Sequence, residues 1–139
     1  MFNGEKMKKY SQYWDGSPEG WTIAESEHYI LRGEFEEAVM YQRSDNSRIT
    51  TVGDFHGDPV AGIIDENERF CVIVGCGVIV YKLQAPFEEY MYDKDSSQWY
   101  EFGRDPKKAE WITAIEQISP NQIELIDDSG NHRVCFVEI

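Results

Sequence analysis

One stretch limits the architecture more than any other. Residues Phe70–Leu83 read FCVIVGCGVIVYKL, two runs of β-branched and aromatic residues separated by Gly75-Cys76-Gly77. A three-residue, glycine-bearing connection between such runs predicts a β-hairpin, because glycine takes the positive φ that the turn or its bulge needs. Phe70, Val72 and Val74 point to one face and Cys71 and Ile73 to the other, and both faces are apolar. A half-exposed strand would alternate with polar residues. The hairpin is therefore expected at the centre of the fold, covered on both sides.

The chain around it reads as short strands joined by tight turns. Strand-like runs occur at Trp21–Ala24, His28–Arg32 and Glu37–Arg43. Within EFEEAVMYQ (34–42), a helical face of Phe35, Ala38, Val39 and Gln42 competes with strand alternation, and the strand reading is favoured. Arg48–Asp54, Val60–Ile64 and the two arms of the hairpin then predict a four-stranded meander, since their connections are too short for crossovers. Gln98–Phe102 is a further short strand. Asp105 followed by Pro106 is a good helix start, yet the chain soon turns at Ser119-Pro120-Asn121. A short helical turn near Pro106 and then a strand from Trp111 to Ile118 is favoured over a helix. Gln122–Asp127 and His132–Ile139 complete the series, about Ser129-Gly130-Asn131.

An internal echo links two of these hairpins. Ile63-Ile64-Asp65-Glu66 leads to Arg69-Phe70-Cys71-Val72, and Leu125-Ile126-Asp127-Asp128 leads to Arg133-Val134-Cys135-Phe136. Two copies do not make a repeat architecture. They point to two antiparallel meanders packed on each other. The fold class expected is thus mainly β, with antiparallel meanders forming a sandwich or strongly bent sheet and at most one or two short helices. The length of 139 residues predicts a single domain, 1–139, with residues 1–20 an irregular N-terminal segment.

Charge is the strongest compositional fact. Twenty-six acidic residues oppose thirteen basic ones, a formal net charge of −13. The excess runs through the chain: Thr51–Tyr100 holds nine acids and three bases. Such a field disfavours direct contact with nucleic acid or an anionic membrane and attracts cationic partners. It also serves solubility, the plainer reading. The Lys6, Lys8 and Lys9 cluster is too small to suggest nucleic-acid binding. The N-terminus lacks the apolar run of a secretory signal, and the longest apolar run, Phe70–Tyr81, is too short for a membrane-spanning helix. Three cysteines, an odd number, fit a reducing compartment, so a cytoplasmic location is expected.

No motif carries chemistry strongly. Asp54, His56 and Asp58 alternate (D-F-H-G-D) and in an extended segment would share a face, as a metal site or a histidine base between carboxylates. That is the second functional reading, a small metal-dependent hydrolase. Turn chemistry alone accounts for Gly57, Asp58 and Pro59. Cys71, Cys76 and Cys135 lack zinc spacing; Cys71 and Cys135 sit in apolar runs, while Cys76, at a hairpin tip, is placed to be exposed and reactive. Gly75 and Gly77 lack the third glycine of a dinucleotide loop, since Val80 stands in its place. No cofactor is implied.

The segment Pro86–Gly103 (PFEEYMYDKDSSQWYEFG) is more informative, because it interleaves aromatics with carboxylates. Tyrosine and tryptophan are enriched at binding hot spots, and flanking acids suit a lysine- and arginine-rich partner. Core-edge aromatics with solvated acids is the simpler alternative. The candidate partner-binding residues are Glu88, Glu89, Tyr90, Tyr92, Asp93, Asp95 and Trp99.

The run GDFHGDPVAGIIDENERFCVIVGCGVIVYKL from Gly53 to Leu83, followed by PFEEY, WYEFG and IEQISPNQIELIDDSG, resembles small bacterial immunity proteins encoded beside polymorphic or contact-dependent growth-inhibition toxins. The resemblance covers the C-terminal two-thirds of the chain. It implies a cytoplasmic, non-enzymatic protein that binds and blocks one cognate toxin domain, often a basic nuclease. These families share no fixed binding residues, so no site carries over. A third reading is a ligand-sensing or structural β domain, with a homodimer formed through an exposed strand edge.

Overall fold

The computed structural model describes residues 20–139. The expected irregular N-terminal segment and its lysine cluster lie outside the described residues, apart from Gly20. Eleven strands occur among the described residues: β1 (Trp21–Glu25), β2 (Tyr29–Glu34), β3 (Glu37–Gln42), β4 (Arg48–Asp54), β5 (Ala61–Ile64), β6 (Phe70–Gly75), β7 (Gly77–Lys82), β8 (Trp99–Phe102), β9 (Ile112–Ser119), β10 (Gln122–Asp127) and β11 (His132–Phe136). They form three antiparallel sheets, ordered β1-β2-β3-β4, β5-β6-β7-β8 and β11-β10-β9. The protein is mainly β, as expected. The strand reading of 34–42 holds: β2 turns into β3 through Phe35, whose φ is +58°.

The middle sheet is the organising layer, and alternation along its central hairpin explains why. Cys71, Ile73, Ile79 and Tyr81 face the first sheet and join Ile23, Leu31, Met40 and Val52 in one core cluster. Phe70, Val72, Val74, Val78 and Val80 face the third sheet and join Ile112, Ile115, Ile123 and Leu125 in another. Every residue of β6 is buried, and in β7 only Lys82 is not fully so. The hairpin is central and covered on both faces.

Cys76 is the apex, with Val74 opposite Val78. Gly77 has a φ of +89°, and a Cβ there would lie 2.2 Å from Arg104 Cγ and 2.9 Å from the Gly103 carbonyl oxygen. Two demands, handedness and space, therefore fix glycine at this position.

Two expectations are corrected. The four strands from Arg48 to Leu83 are not one meander: β4 pairs with β3, and β5 pairs with β6. The break falls at Phe55–Pro59, where the chain crosses between layers. Phe55, only 2% exposed, is buried in the first core cluster as the chain leaves β4. Its N–H donates to the Glu36 carbonyl in the first layer, whereas the Val60 N–H donates to Val74 in the second. The second correction follows: three meanders stack, not two. The four-stranded meander exists, but it runs from Ala61 to Phe102.

Near Pro106 the chain makes a turn rather than a helix. The Asp105 carboxylate accepts the Lys107 N–H (2.9 Å), and its carbonyl accepts the Lys108 N–H (2.9 Å). β9 follows as a strand. The last strand ends at Phe136, earlier than expected, because the Val137 N–H bonds back to Asn121 and its side chain enters the core. No helix of the described residues is long and apolar enough to cross a membrane.

Candidate protein-binding surface

The acidic, aromatic segment connects β7 to β8, and its own side chains hold its shape. Gln98 Nε2 donates to the carbonyls of Lys82 (2.7 Å) and Gln84 (2.8 Å), while its Oε1 accepts the Glu88 N–H (3.2 Å). Tyr81 donates its hydroxyl to the Glu88 carbonyl (2.6 Å), and the Tyr90 N–H donates to the Thr51 carbonyl (2.9 Å). The segment thereby covers the outer edge of β4. A connection of this length without regular structure satisfies its backbone through such local bonds.

The seven candidate residues divide into two groups. Tyr90 and Trp99 are each 4% exposed and belong to the first core cluster. Trp99 stacks on Tyr81 (6.1 Å between centroids, 11° between planes) and tilts against Tyr90 (5.0 Å). As direct anchors for a partner these two are corrected: they are core residues that carry the segment from beneath, because their rings fill the gap at the end of the β7–β8 pair. Tyr92 is half exposed, beside the more exposed Met91, and Asp93 and Asp95 face solvent. Asp93 takes a φ of +63° at the outermost turn.

Glu88 and Glu89 lie between these extremes. The Lys94 ammonium 2.5 Å from Glu88, with the Ser96 hydroxyl at 2.7 Å, holds that carboxyl below its usual range. Glu89 is held low by Arg48, whose Nη2 lies 2.7 Å away, against an opposing effect of partial burial. Thr50 also donates to Glu89 (3.2 Å). Both acids are thus ionised and fixed in place.

The second set of candidates adjoins the first. His56 meets Tyr92 edge to face (6.0 Å, 71°). Asp58 and His56 are exposed and Asp54 is half-buried. Gly57, at φ +94°, turns the chain between His56 and Asp58, so the extended arrangement that would put all three side chains on one face does not form. No group of three or more His, Cys, Asp or Glu side chains suited to holding a metal occurs among the described residues.

Sequence reasoning missed the residue that ties the two sets together. Arg104 is 9% exposed and lies 4.8 Å over the Phe55 ring and 5.6 Å from the Tyr92 ring. It donates to the carbonyls of Cys76 (3.0 Å) and Asp54 (2.6 Å), and its Nε lies 2.8 Å from Glu101 Oε1. That same oxygen accepts the Tyr90 hydroxyl (2.8 Å). Nothing in the local string EFGRDP distinguishes this arginine from a solvated one. Its planar fork serves three chain segments at once, which a lysine cannot do. Cys76, whose carbonyl Arg104 holds and which bridges to Trp111, is buried at 6% exposure, not exposed and reactive as its hairpin-tip position suggests. Cys71 is fully buried, and burial pushes its thiol up; Cys135 is half-buried.

Acids dominate the rim of this surface. Glu37 and Asp54 are direct cross-strand partners at the end of the β3–β4 pair. Burial first, and then the Asp54 charge, raise the Glu37 carboxyl above its usual range. Like charges placed opposite each other on a sheet are destabilising. Phe35, 88% exposed, stands on the same hairpin end, next to the Glu36 carbonyl that bonds Phe55. The surface therefore combines exposed apolar side chains with an excess of negative charge, part of it paired with Arg48 and Lys94. No family model, curated protein or solved structure matches this chain.

Proposed function

We propose that this protein is an immunity protein or inhibitor that binds and neutralises a basic toxin domain, a nuclease being the activity that fits best. The observation that carries the reading is the preorganised segment from Glu88 to Trp99. Its backbone is tied at Glu88 and Tyr90 on one side and at Gln98 on the other, which limits the conformational freedom lost on binding. Met91 and Tyr92 supply apolar contact, and Asp93 and Asp95 supply charge at the rim. Rim charges steer encounter, while half-buried aromatics hold the complex once formed. Inhibition then requires no chemistry: a protein of net charge −13 occludes the cationic surface that a nuclease uses to hold phosphates.

The test uses a purified basic nuclease toxin domain as the candidate partner, with association followed at several salt concentrations. Asp93→Lys with Asp95→Lys should slow association about tenfold or more at low salt and flatten its salt dependence. Tyr92→Ala should raise the dissociation rate instead. Binding unchanged by all three substitutions removes the segment from the interface.

A further inference from the structure

We propose that strand β11 pairs edge to edge with β11 of a second copy, about a two-fold axis at Val134. Hydrogen-bond parity shows what this edge offers. The Asp127 N–H bonds to Asn131 and the Val137 N–H bonds to Asn121, bracketing the β10–β11 ladder. Alternation between these bonds places Arg133 and Cys135 in the bonds to β10. It turns the N–H and C=O groups of His132, Val134 and Phe136 toward the side on which, among the described residues, no strand pairs with β11. Val134 is 50% exposed and Phe136 74% exposed.

The β4 edge is treated differently: the Tyr90 N–H donates to its Thr51 carbonyl. Exposed edges are usually protected by charges, prolines or bulges. β11 has no proline, and its register with β10 runs without a bulge. Its arginine, Arg133, is held by Glu110 at 2.7 Å.

Charge selects a second copy as the occupant. Among the described residues, β11 (HRVCF) is the exposed strand that carries no acid, in a chain of net charge −13. Its basic side chains are balanced by neighbouring acids, His132 by Glu124 (3.2 Å), which lies opposite Val134 on β10, and Arg133 by Glu110, so the strand meets a second copy without an acid of its own. The strand is also self-complementary. With Val134 opposite Val134 of the other copy, each His132 faces a Phe136, and the outward groups of all three residues find partners, about six main-chain hydrogen bonds. A basic partner is drawn instead to the acidic surface on another layer, so this inference does not rest on the toxin-binding reading.

Mass measurement of the full chain by sedimentation, across concentration and salt, is the test. A dimer is expected, and because salt screens the repulsion between like-charged copies it should strengthen from about 0.05 to 0.5 M salt. Binding of a basic partner has the opposite salt dependence. Val134→Lys with Phe136→Lys should give a monomer with unchanged near-ultraviolet circular dichroism. Val134→Pro, which removes an N–H on the open side only, should weaken the dimer at least tenfold. Asp93→Lys with Asp95→Lys should leave it intact, whatever those substitutions do to toxin binding. A wild-type monomer up to about 1 mM, or a dimer indifferent to both β11 variants, overturns the proposal.

Discussion

The two hairpins that share a sequence signature have opposite environments. In the β5–β6 hairpin the acidic corner is Asp65, 1% exposed, whose carboxylate accepts from Arg69 Nε (2.7 Å), Arg69 N–H (3.0 Å) and Gln117 Nε2 (2.8 Å). In the β10–β11 hairpin it is Asp127, whose carboxylate accepts only nearby N–H groups of Ser129 and Asn131. Arg69 reaches back to its own corner, but Arg133, set two residues further on, pairs with Glu110. β6 is buried throughout, whereas β11 is mostly exposed. The same local chemistry writes both turns. The layer in which each hairpin lies decides what its side chains contribute.

Paired substitutions sharpen the contrast, and the largest effect belongs to the aromatic cores. Phe70→Ala should cost about 3–5 kcal/mol of stability, because it empties a fully buried site between two sheets. Phe136→Ala should stay within about 0.5 kcal/mol by denaturant titration of the monomer. Equal losses would mean that the third sheet's outer face is covered.

The acidic corners come next. Asp65→Ala removes the acceptor of three Arg69 bonds and one Gln117 bond, leaving these donors the Asn121 and Pro120 oxygens, and should cost about 3 kcal/mol. Asp127→Ala should shift the unfolding midpoint only slightly.

The acid limb of the stability curve separates them again. Burial works to raise the Asp65 carboxyl, but the hydrogen bonds from Arg69 and Gln117 prevail and hold it below the usual range. A depressed folded-state pKa stabilises the protein above the unfolded value, near 4, and that contribution is lost as pH falls through the folded value. Stability should therefore drop below about pH 4, and Asp65→Asn should flatten that drop. The Asp127 carboxyl is also held below its usual range, by the Asn131 and Ser129 N–H groups. Asp127→Asn should flatten the drop too, but less, because those groups lie in an exposed turn.

The smallest effect is a difference in rates. Thiol labelling of the native protein should modify Cys135 first, while Cys71 and Cys76 react only as the protein opens. Early labelling of Cys76 would show that Arg104 does not close the hairpin tip.

Most of the layer structure was legible because it depends on alternation, which is local. Phe70–Val74 announced a doubly covered strand, and the glycines announced its turn. What was not legible depends on contacts distant in sequence. Phe55 looks like any loop aromatic, and only its burial among side chains of two layers makes Phe55–Pro59 a crossing between sheets. Tyr90 and Trp99 read as interface aromatics because hot spots and core edges use the same residues. Arg104 had no signal at all, since its partners Asp54, Cys76 and Phe55 are far away along the chain.

Each sheet is drawn from one unbroken stretch of chain, and the layers meet through Phe55–Pro59 and Gly103–Trp111. That arrangement sets an order for self-assembly. Hairpins of neighbouring strands close in microseconds, long before distant layers can find one another. The slow step becomes the docking of preformed meanders on the middle one, which has no solvated face to fall back on. Amide protons of β6 and β7 should then exchange last, through global opening, while those of β11 exchange through local fraying.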